Sequence, residues 1–331
     1  MKIDLSEGVW LKGILHTHST NSDGILSPEE VVRFFRRAGY GLVSITDHNV
    51  VTRLKVHDVV YLPGIELDIG RSSAGFSYHV VIIGLKSDPP ERVRSDIQSL
   101  IDWARDSGYF TFIAHPYWSM LSGEDLAGIR GYHGVEVYNA GCEVGISRGY
   151  SGFHWDYLLH RGRWTYGIAV DDAHYYTVDV LGGWIRVRVR EESYEGVLEA
   201  LINGDFYSSS GLEVRYLEAS SDHLNLKVEG ATEVRVLSGN TTGLYFNVKF
   251  LESLKKGLTW PGIYAEVWGE EEEKGCRFRL EVKGKLRAEG RAVNGMLEEI
   301  SVRGGLPLTN YARIELIGKR GAAIWTNPFK V

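Results

Sequence analysis

Thiols are almost missing from this sequence: Cys142 and Cys276 are its only cysteines, and they stand far apart. Such a pair offers neither a disulfide framework nor a thiolate metal cluster, so a cytoplasmic protein with free thiols is expected. Also lacking are a charged-then-apolar leader at Met1–Gly13 and any apolar run long enough to span a bilayer, so no membrane partner is expected. There is no basic excess either. The formal net charge is -6, which leaves no electrostatic footprint for duplex nucleic acid. Internal repeats and long low-complexity linkers are absent. What remains is a 331-residue chain, 44% hydrophobic, long enough for one large domain and a smaller one.

Polar residues of one kind recur at the ends of apolar runs. The first group lies in Ile14–His48, where His16-Thr17-His18 follows the strand-like Trp10–Leu15. Side chains two apart on a strand share a face, so both imidazoles project the same way. Asp23-Gly24 follows, and after one helix and one strand comes Thr46-Asp47-His48. A lone H-x-H is ordinarily a pair of half-buried polar residues. Here the punctuation repeats: Gly64-Ile65-Glu66, Tyr78-His79, Ala114-His115-Pro116 and Asp171-Asp172-Ala173-His174 each set a ligand-type residue beside an apolar run. Scattered core histidines would not recur in this way.

The intervening chain alternates between strand and helix. Ser27-Pro28-Glu29-Glu30 predicts a capped helix that starts at Pro28 and ends near Gly39, before a buried strand Leu42–Thr46. Strands follow at Val59–Ile65, Val80–Leu85, Phe110–Ala114, Val135–Tyr138, Thr165–Val170, Ile185–Val189 and Phe206–Ser208, with helices at Glu91–Asp106, Trp155–His160 and Tyr194–Ile202. The alternation predicts a parallel sheet, closed into a barrel with its chemistry at the carboxyl ends of the strands. His79 precedes its strand, so Tyr78–Leu85 is expected to return antiparallel to the strand ending at Glu66.

From about Leu212 the pattern changes to short β-rich runs: Leu224–Val228, Glu233–Leu237, Leu244–Phe250, Gly262–Val267, Cys276–Val282, Tyr311–Ile317 and Ala322–Trp325. Leu251–Lys256 reads as at most a turn or two of helix, and the acidic run Glu270–Lys274 as a solvated loop. The expected domains are therefore 1–212, an α/β barrel, and 213–331, an all-β sandwich.

His16, His18, Asp23, His48, Glu66, His79, His115, Asp172 and His174 form the ligand inventory. Six imidazoles and three carboxylates exceed the three or four protein ligands of one open zinc-like site, and suit two or three divalent ions of zinc, manganese or iron. Such clusters serve hydrolysis: the ions acidify a water, orient the electrophile and stabilise developing oxyanion charge.

In order, spacing and residue type these nine positions resemble the successive motifs of the PHP (polymerase and histidinol phosphatase) superfamily, over about residues 8–212. The resemblance implies a distorted (β/α)7 barrel with a trinuclear metal centre and metal-dependent phosphoester hydrolysis by hydroxide formed on the metals. By the family pattern His16, His18, Glu66 and Asp172 would hold one ion, Glu66, His79 and His115 a second, and Asp23, His48 and His174 a third, with Asp172, His174 and His115 as the catalytic residues. Tyr207–Gly211 and the segment Tyr311–Pro328 are similar to the branch of the superfamily that includes carbaryl hydrolase, which spans carboxyl and carbamate ester cleavage.

The chain departs from that pattern after the His-Pro pair. Phosphatases of the superfamily often carry a basic side chain there, whereas here Tyr117 and Trp118 follow Pro116. Arg148, Arg161 and Arg163 are the alternative cations, each weighed against an ordinary surface role. Asp47, Glu136, Asn139 and Asp171 are expected to support the ligands from behind, and His57, His133, His154, His160 and His223 to be ordinary. The leading expectation is a phosphoesterase acting on a small-molecule ester or nucleotide. Its rivals are a carboxyl or carbamate ester hydrolase on the same centre, and a non-catalytic metal-containing binding module.

Overall fold

The computed structural model describes the chain except residues 258, 260, 262, 271–274 and 283. Residue 262 of the expected strand Gly262–Val267 and residues 271–274 of the expected acidic loop thus lie outside the described residues. By contacts the chain divides into two units, Gly8–Ser210 and Met1–Glu7 with Gly211–Val331. The first seven residues, placed by sequence with the barrel, group with the second unit because β1 (Lys2–Asp4) pairs antiparallel with Glu213–Ala219.

The larger unit comprises β2 (Val9–Ile14), α1 (Pro28–Arg37), β3 (Leu42–Val43), β4 (Val60–Tyr61), β5 (Gly64–Ile69), β6 (Tyr78–Ile83), α2 (Ile97–Asp106), β7 (Phe110–Ile113), α3 (Gly123–Gly128), β8 (Gly134–Asn139), α4 (Ala140–Ile146), α5 (Gly152–His160), β9 (Tyr166–Val170), β10 (Trp184–Val189), α6 (Tyr194–Asn203) and β11 (Phe206–Ser209). Helix α1 begins as its sequence dictates: Glu30 N–H donates to Ser27 Oγ, Ser27 N–H donates to Glu30 Oε2, and Pro28 takes the first helical position. Its apolar face, Val31, Val32 and Phe35, packs with Ile14, Val43 and Ile45. The central strands are apolar on both faces, as strands covered from both sides must be; Leu42, Val81, Phe110, Phe112, Ile168 and Ile185 share one core with Val197 and Leu201 of α6.

These strands form two groups, and the pairing is mixed. β2, β3 and β4 are parallel, with β10 and then β11 added antiparallel on the other edge of β2. β5, β6 and β7 are antiparallel neighbours, and β7, β8 and β9 parallel ones. The antiparallel return of β6 agrees with the position of His79. The expected strand Val59–Ile65 is in fact two: Pro63 interrupts it, so Glu66 is the third residue of β5 instead of following a strand. Beyond Val43 the chain continues beside the same neighbours through single hydrogen bonds, and new cross-links join it to the other sheet. Ser44 N–H donates to Ile14 O, Glu66 N–H to Asp47 O, Asp172 N–H to His16 O and His18 N–H to Ala173 O. The two sheets therefore meet along the segments that follow β2, β3 and β9, and those segments carry the ligand-type residues.

The second unit contains β12 (Glu213–Ala219), β13 (His223–Ser238), β14 (Gly243–Asn247), α7 (Val248–Lys255), β15 (Ile263–Glu270), β16 (Gly275–Val282), β17 (Leu286–Val293), β18 (Met296–Arg303), β19 (Tyr311–Gly318), β20 (Ala323–Thr326) and β21 (Phe329–Lys330). Two expected strands, Leu224–Val228 and Glu233–Leu237, are one. The first half of β13 pairs with β12 and β18, the second with β14 and β19, and the register shifts around Gly230, whose φ is +82°. Residues 248–250 belong to α7 and not to a strand, because Asn247 Oδ1 accepts Phe250 N–H and caps the helix. Strand β17 escapes a reading by hydrophobicity, whereas β18, expected by no run above, buries Leu297, Ile300 and Val302. The inward positions of β17 include Ala288, Ala292 and Gly290, and a Cβ at Gly290 would stand 2.7 Å from the Phe278 ring. Among the described residues no helix is long and apolar enough to cross a membrane, and Cys142 and Cys276 are buried and form no disulfide.

Candidate metal centre

All nine expected ligands converge. Glu66, on β5 and 1% exposed, is their hub. Its Oε2 lies 3.2 Å from His16 Nε2, His18 Nε2 and His48 Nδ1, and its Oε1 lies 2.8 Å from His79 Nδ1 and 3.3 Å from His115 Nε2. Asp172 Oδ1 stands 3.2 Å from His16 Nε2 and 3.1 Å from His18 Nε2. Asp23 reaches the outer side, 3.5 Å from His18 Nδ1, 3.6 Å from His48 Nε2 and 3.4 Å from His174 Nε2. The donors form three overlapping sets: His16, His18, Glu66 and Asp172; His18, Asp23, His48 and His174; and His48, Glu66 and His79. His115 lies outside these sets, joined through Glu66.

The donor chemistry fits metal ions. Glu136 Oε1 accepts from His16 Nδ1 at 2.6 Å, so a neutral His16 ring turns its Nε2 lone pair inward. That lone pair faces Glu66 Oε2, Asp172 Oδ1 and His18 Nε2 at 3.2 Å each. Lone pairs and carboxylates facing one another in a dry site repel unless a cation lies between them. Without metal, protons take that role. Burial opposes charge on His16 and His18, but Asp172 and Glu66, with Glu136 beside His16, outweigh it, raising His16 well above the usual imidazole value and His18 to about 9. Burial likewise opposes charge on Glu66, yet His16, His115 and His18 hold its carboxyl well below the ordinary range.

Two of these residues have unusual backbones, with φ of 28° at His115 and 54° at Asp172. Non-glycine residues in this region cost on the order of 1–3 kcal/mol each, and persist where neighbours impose them. Here His115 N–H donates to Glu136 Oε2 at 2.7 Å, and Asp172 N–H to His16 O at 3.0 Å.

Among the supporting groups expected, Glu136 and Asn139 touch the cluster. Asn139 Nδ2 donates to Glu136 Oε2 and to Asp172 Oδ2, while its Oδ1 caps α4 through Cys142 N–H. Asp47 and Asp171 work further back, ordering loops. Asp47 accepts from Ser19 N–H and Oγ, Ser22 Oγ and Thr52 Oγ1. Asp171 accepts the N–H groups of Leu181, Gly182 and Gly183, and burial pushes its pKa up to about 7. Sequence reasoning missed Ser119, whose Oγ lies 2.9 Å from His115 Nδ1, and Asp179, whose Oδ2 accepts His174 N–H and Tyr175 N–H. It also missed Tyr176, whose OH donates to His18 O. None belongs to a strand-end pattern. Their positions depend on loop geometry, for which local sequence carries no signal.

Tyr117 and Trp118 are both 42% exposed and diverge. The Trp118 ring stands steeply inclined to those of His115, at 5.0 Å between centres, and His79, at 6.0 Å, over one side of the cluster. Tyr117 turns instead toward His154 and Arg148.

No protein-family model and no curated protein sequence matches the chain. Among solved structures it is similar to a two-domain protein from Bacteroides vulgatus containing a predicted PHP-like metal-dependent phosphoesterase, with a TM-score of 0.50, 16% identity and coverage of 99% of this chain and 96% of that one. An amidohydrolase from Chromobacterium violaceum matches 51% of this chain and 89% of its own, with a TM-score of 0.40 and 16% identity. Over nearly its whole length, then, this chain shares the fold of a two-domain protein with a PHP-like part, and of the nine residues that carry the sequence resemblance eight fall in the donor sets and His115 joins them through Glu66.

Proposed function

We propose that the protein is a metal-dependent hydrolase that cleaves phosphoesters at this cluster, with three divalent ions of zinc, manganese or iron held by the nine ligands. The strands β2, β3, β5, β6, β7, β8 and β9 are read as one distorted seven-stranded barrel that presents them. The observation that carries the reading is the convergence of inward-facing lone pairs and carboxylates on Glu66. Divalent ions there would supply Lewis-acid polarisation and a lowered water pKa.

The chain's own residues do the rest. Glu66 divides its oxygens between two groups of histidines and so sets the spacing of the sites. Glu136 holds the His16 tautomer, and Asn139 orients Asp172. Asp172, His174 and His115 lie against the reacting group. Trp118 shields one side from water and offers an aromatic face to the leaving group. The substrate is a small aryl or nucleotide phosphoester, and duplex nucleic acid is not a partner.

One observation favours a second reading, cleavage of a carboxyl or carbamate ester: the residues after His115-Pro116 are aromatic and uncharged. The test is a panel on one metal-loaded preparation, comparing an aryl phosphate monoester, an aryl phosphodiester, short oligonucleotides and an aryl carbamate. Turnover of a phosphoester supports the proposal. Turnover of the carbamate alone replaces it with the second reading, and turnover of none leaves a metal-containing binding module.

A further inference from the structure

The missing cation after the His-Pro pair raises a question that the structure narrows. Of the three arginines that could replace it, Arg161 is engaged with Glu124, its Nη1 3.3 Å from Oε1. Arg163 Nη2 donates to Ala127 O and Ile129 O and serves the backbone there. Arg148 differs from both. Among the described residues it has no carboxylate partner; its guanidinium carbon lies 5.7 Å from the centre of the Tyr117 ring, and Nη1 is 3.2 Å from Met120 Sδ. These are soft contacts that steer a guanidinium while leaving most of its donors unspent.

Its place in the chain also points to the centre. Arg148 follows Ser147, whose φ of 57° turns the chain back from the end of α4. The next residue, Gly149, accepts Asn139 N–H through its carbonyl at 3.0 Å and donates its own N–H to Glu143 Oε2. A side chain at Gly149 could not fit, since a Cβ would stand 2.3 Å from Asn139 O. The loop is thus anchored to Asn139, whose side chain holds Asp172. Tyr117, on which Arg148 rests, is two residues from His115, and its own N–H is held by Ser151 Oγ. The loop after β7 and the loop after α4 therefore place a cation against Tyr117, two residues along the chain from His115, on a loop tied to Asn139.

We infer that Arg148 is the substrate-binding cation of this site, gripping phosphate oxygens that face away from the metal ligands. Tyr117 and Met120 hold the guanidinium in position. The inference rests on the proposed phosphoesterase reading, deepening it with a specificity-determining residue that lies elsewhere in sequence from the position where the family places its basic group. A planar guanidinium makes paired, charge-assisted hydrogen bonds to phosphate that no neutral ester can reproduce.

The experiment uses the full-length, metal-loaded protein and its Arg148→Met and Arg148→Lys variants, with metal content measured on each. Inorganic phosphate binding is read by calorimetry, and KM and kcat are measured for an aryl phosphate and for a neutral aryl carbamate. Arg148→Met is expected to weaken phosphate binding and raise KM for the aryl phosphate about tenfold, with little change in kcat, in metal content or in KM for the carbamate. Arg148→Lys should recover part of the loss. Equal phosphate binding by wild type and Arg148→Met, absence of binding by both, or an equal rise in KM for the neutral ester overturns the inference. If no phosphoester is turned over by the wild type, the phosphoesterase reading falls. The calorimetric comparison then still decides Arg148 by the same criterion.

Discussion

Glu136 Oε1 and His16 Nδ1 meet at 2.6 Å, while the other oxygen of the same carboxylate accepts the backbone N–H of His115. One fully buried side chain on β8 thereby sets the ring orientation of a candidate ligand on one sheet and the strained backbone of a candidate ligand on the other. Removing its charge should act on the metals before it acts on the fold. Glu136→Gln, which keeps the shape, is expected to lower metal affinity by about 10- to 100-fold. Elemental analysis after dialysis against graded chelator concentrations measures this, with circular dichroism confirming that the protein is folded.

Metal content is the next expectation. Reconstituted protein should carry two to three ions per chain, and Glu66→Ala should lose more than one of them, because its two oxygens serve different histidines. Binding at a thousand times the dissociation constant adds about 4 kcal/mol of stability, which for a unit of this size is a rise in Tm of roughly 10 °C. Calorimetric scans with metal and with chelator check it. A single ion in well-loaded protein would contradict the proposed centre.

Trp118 and His115 should separate binding from chemistry. Trp118→Ala removes an exposed ring whose centre lies 5.0 Å from that of His115 and 6.0 Å from that of His79. KM for an aryl phosphoester should rise more than kcat falls, the pattern of lost uniform binding. His115→Ala, by contrast, removes a partner of Glu66 Oε1 and should collapse kcat. Steady-state kinetics on both variants, at matched metal content, distinguishes the two effects.

His133 offers a pH test remote from the ligands. Burial pushes its pKa down to about 4, and its Nδ1 accepts Thr111 N–H at 3.1 Å, so the folded protein holds it neutral. Between its ordinary value near 6.5 and about 4, the unfolded chain binds a proton that the folded chain does not. Stability therefore falls as pH drops through that window, by at most about 1.4 kcal/mol per pH unit from this group. His133→Asn preserves an acceptor for Thr111 and should remove that slope. Urea unfolding of wild type and variant from pH 6.5 to 4.5 gives the difference, in which contributions from the metal cluster cancel.

Much of this was legible in the amino-acid order alone. The cap at Ser27-Pro28, the breaks at Gly39 and Gly108 and the apolar runs between them specify helices and strands locally, because each depends on contacts within a few residues. His16 and His18 share a direction because a strand's side chains alternate, and the antiparallel return of Tyr78–Ile83 followed from the need to bring His79 to the end where Glu66 lies. Residue type supplied the chemistry: imidazole and carboxylate without thiolate.

Only the tertiary structure decided how those elements combine. Pro63 divides one apolar run into two strands, and Gly230 lets one strand serve two sets of partners. Both results depend on pairing with distant segments, and local propensity is silent about that. The same holds at the cluster. Sequence could name nine candidate ligands, yet the sharing of His18 and His48 between donor sets, the support from Ser119 and Asp179, and the contrast between Arg148 and two engaged arginines arise where loops from separate strands meet. Strand ends are written in local sequence; the distances between them are set by packing of the whole sheet, and it is those distances that turn nine polar residues into a site.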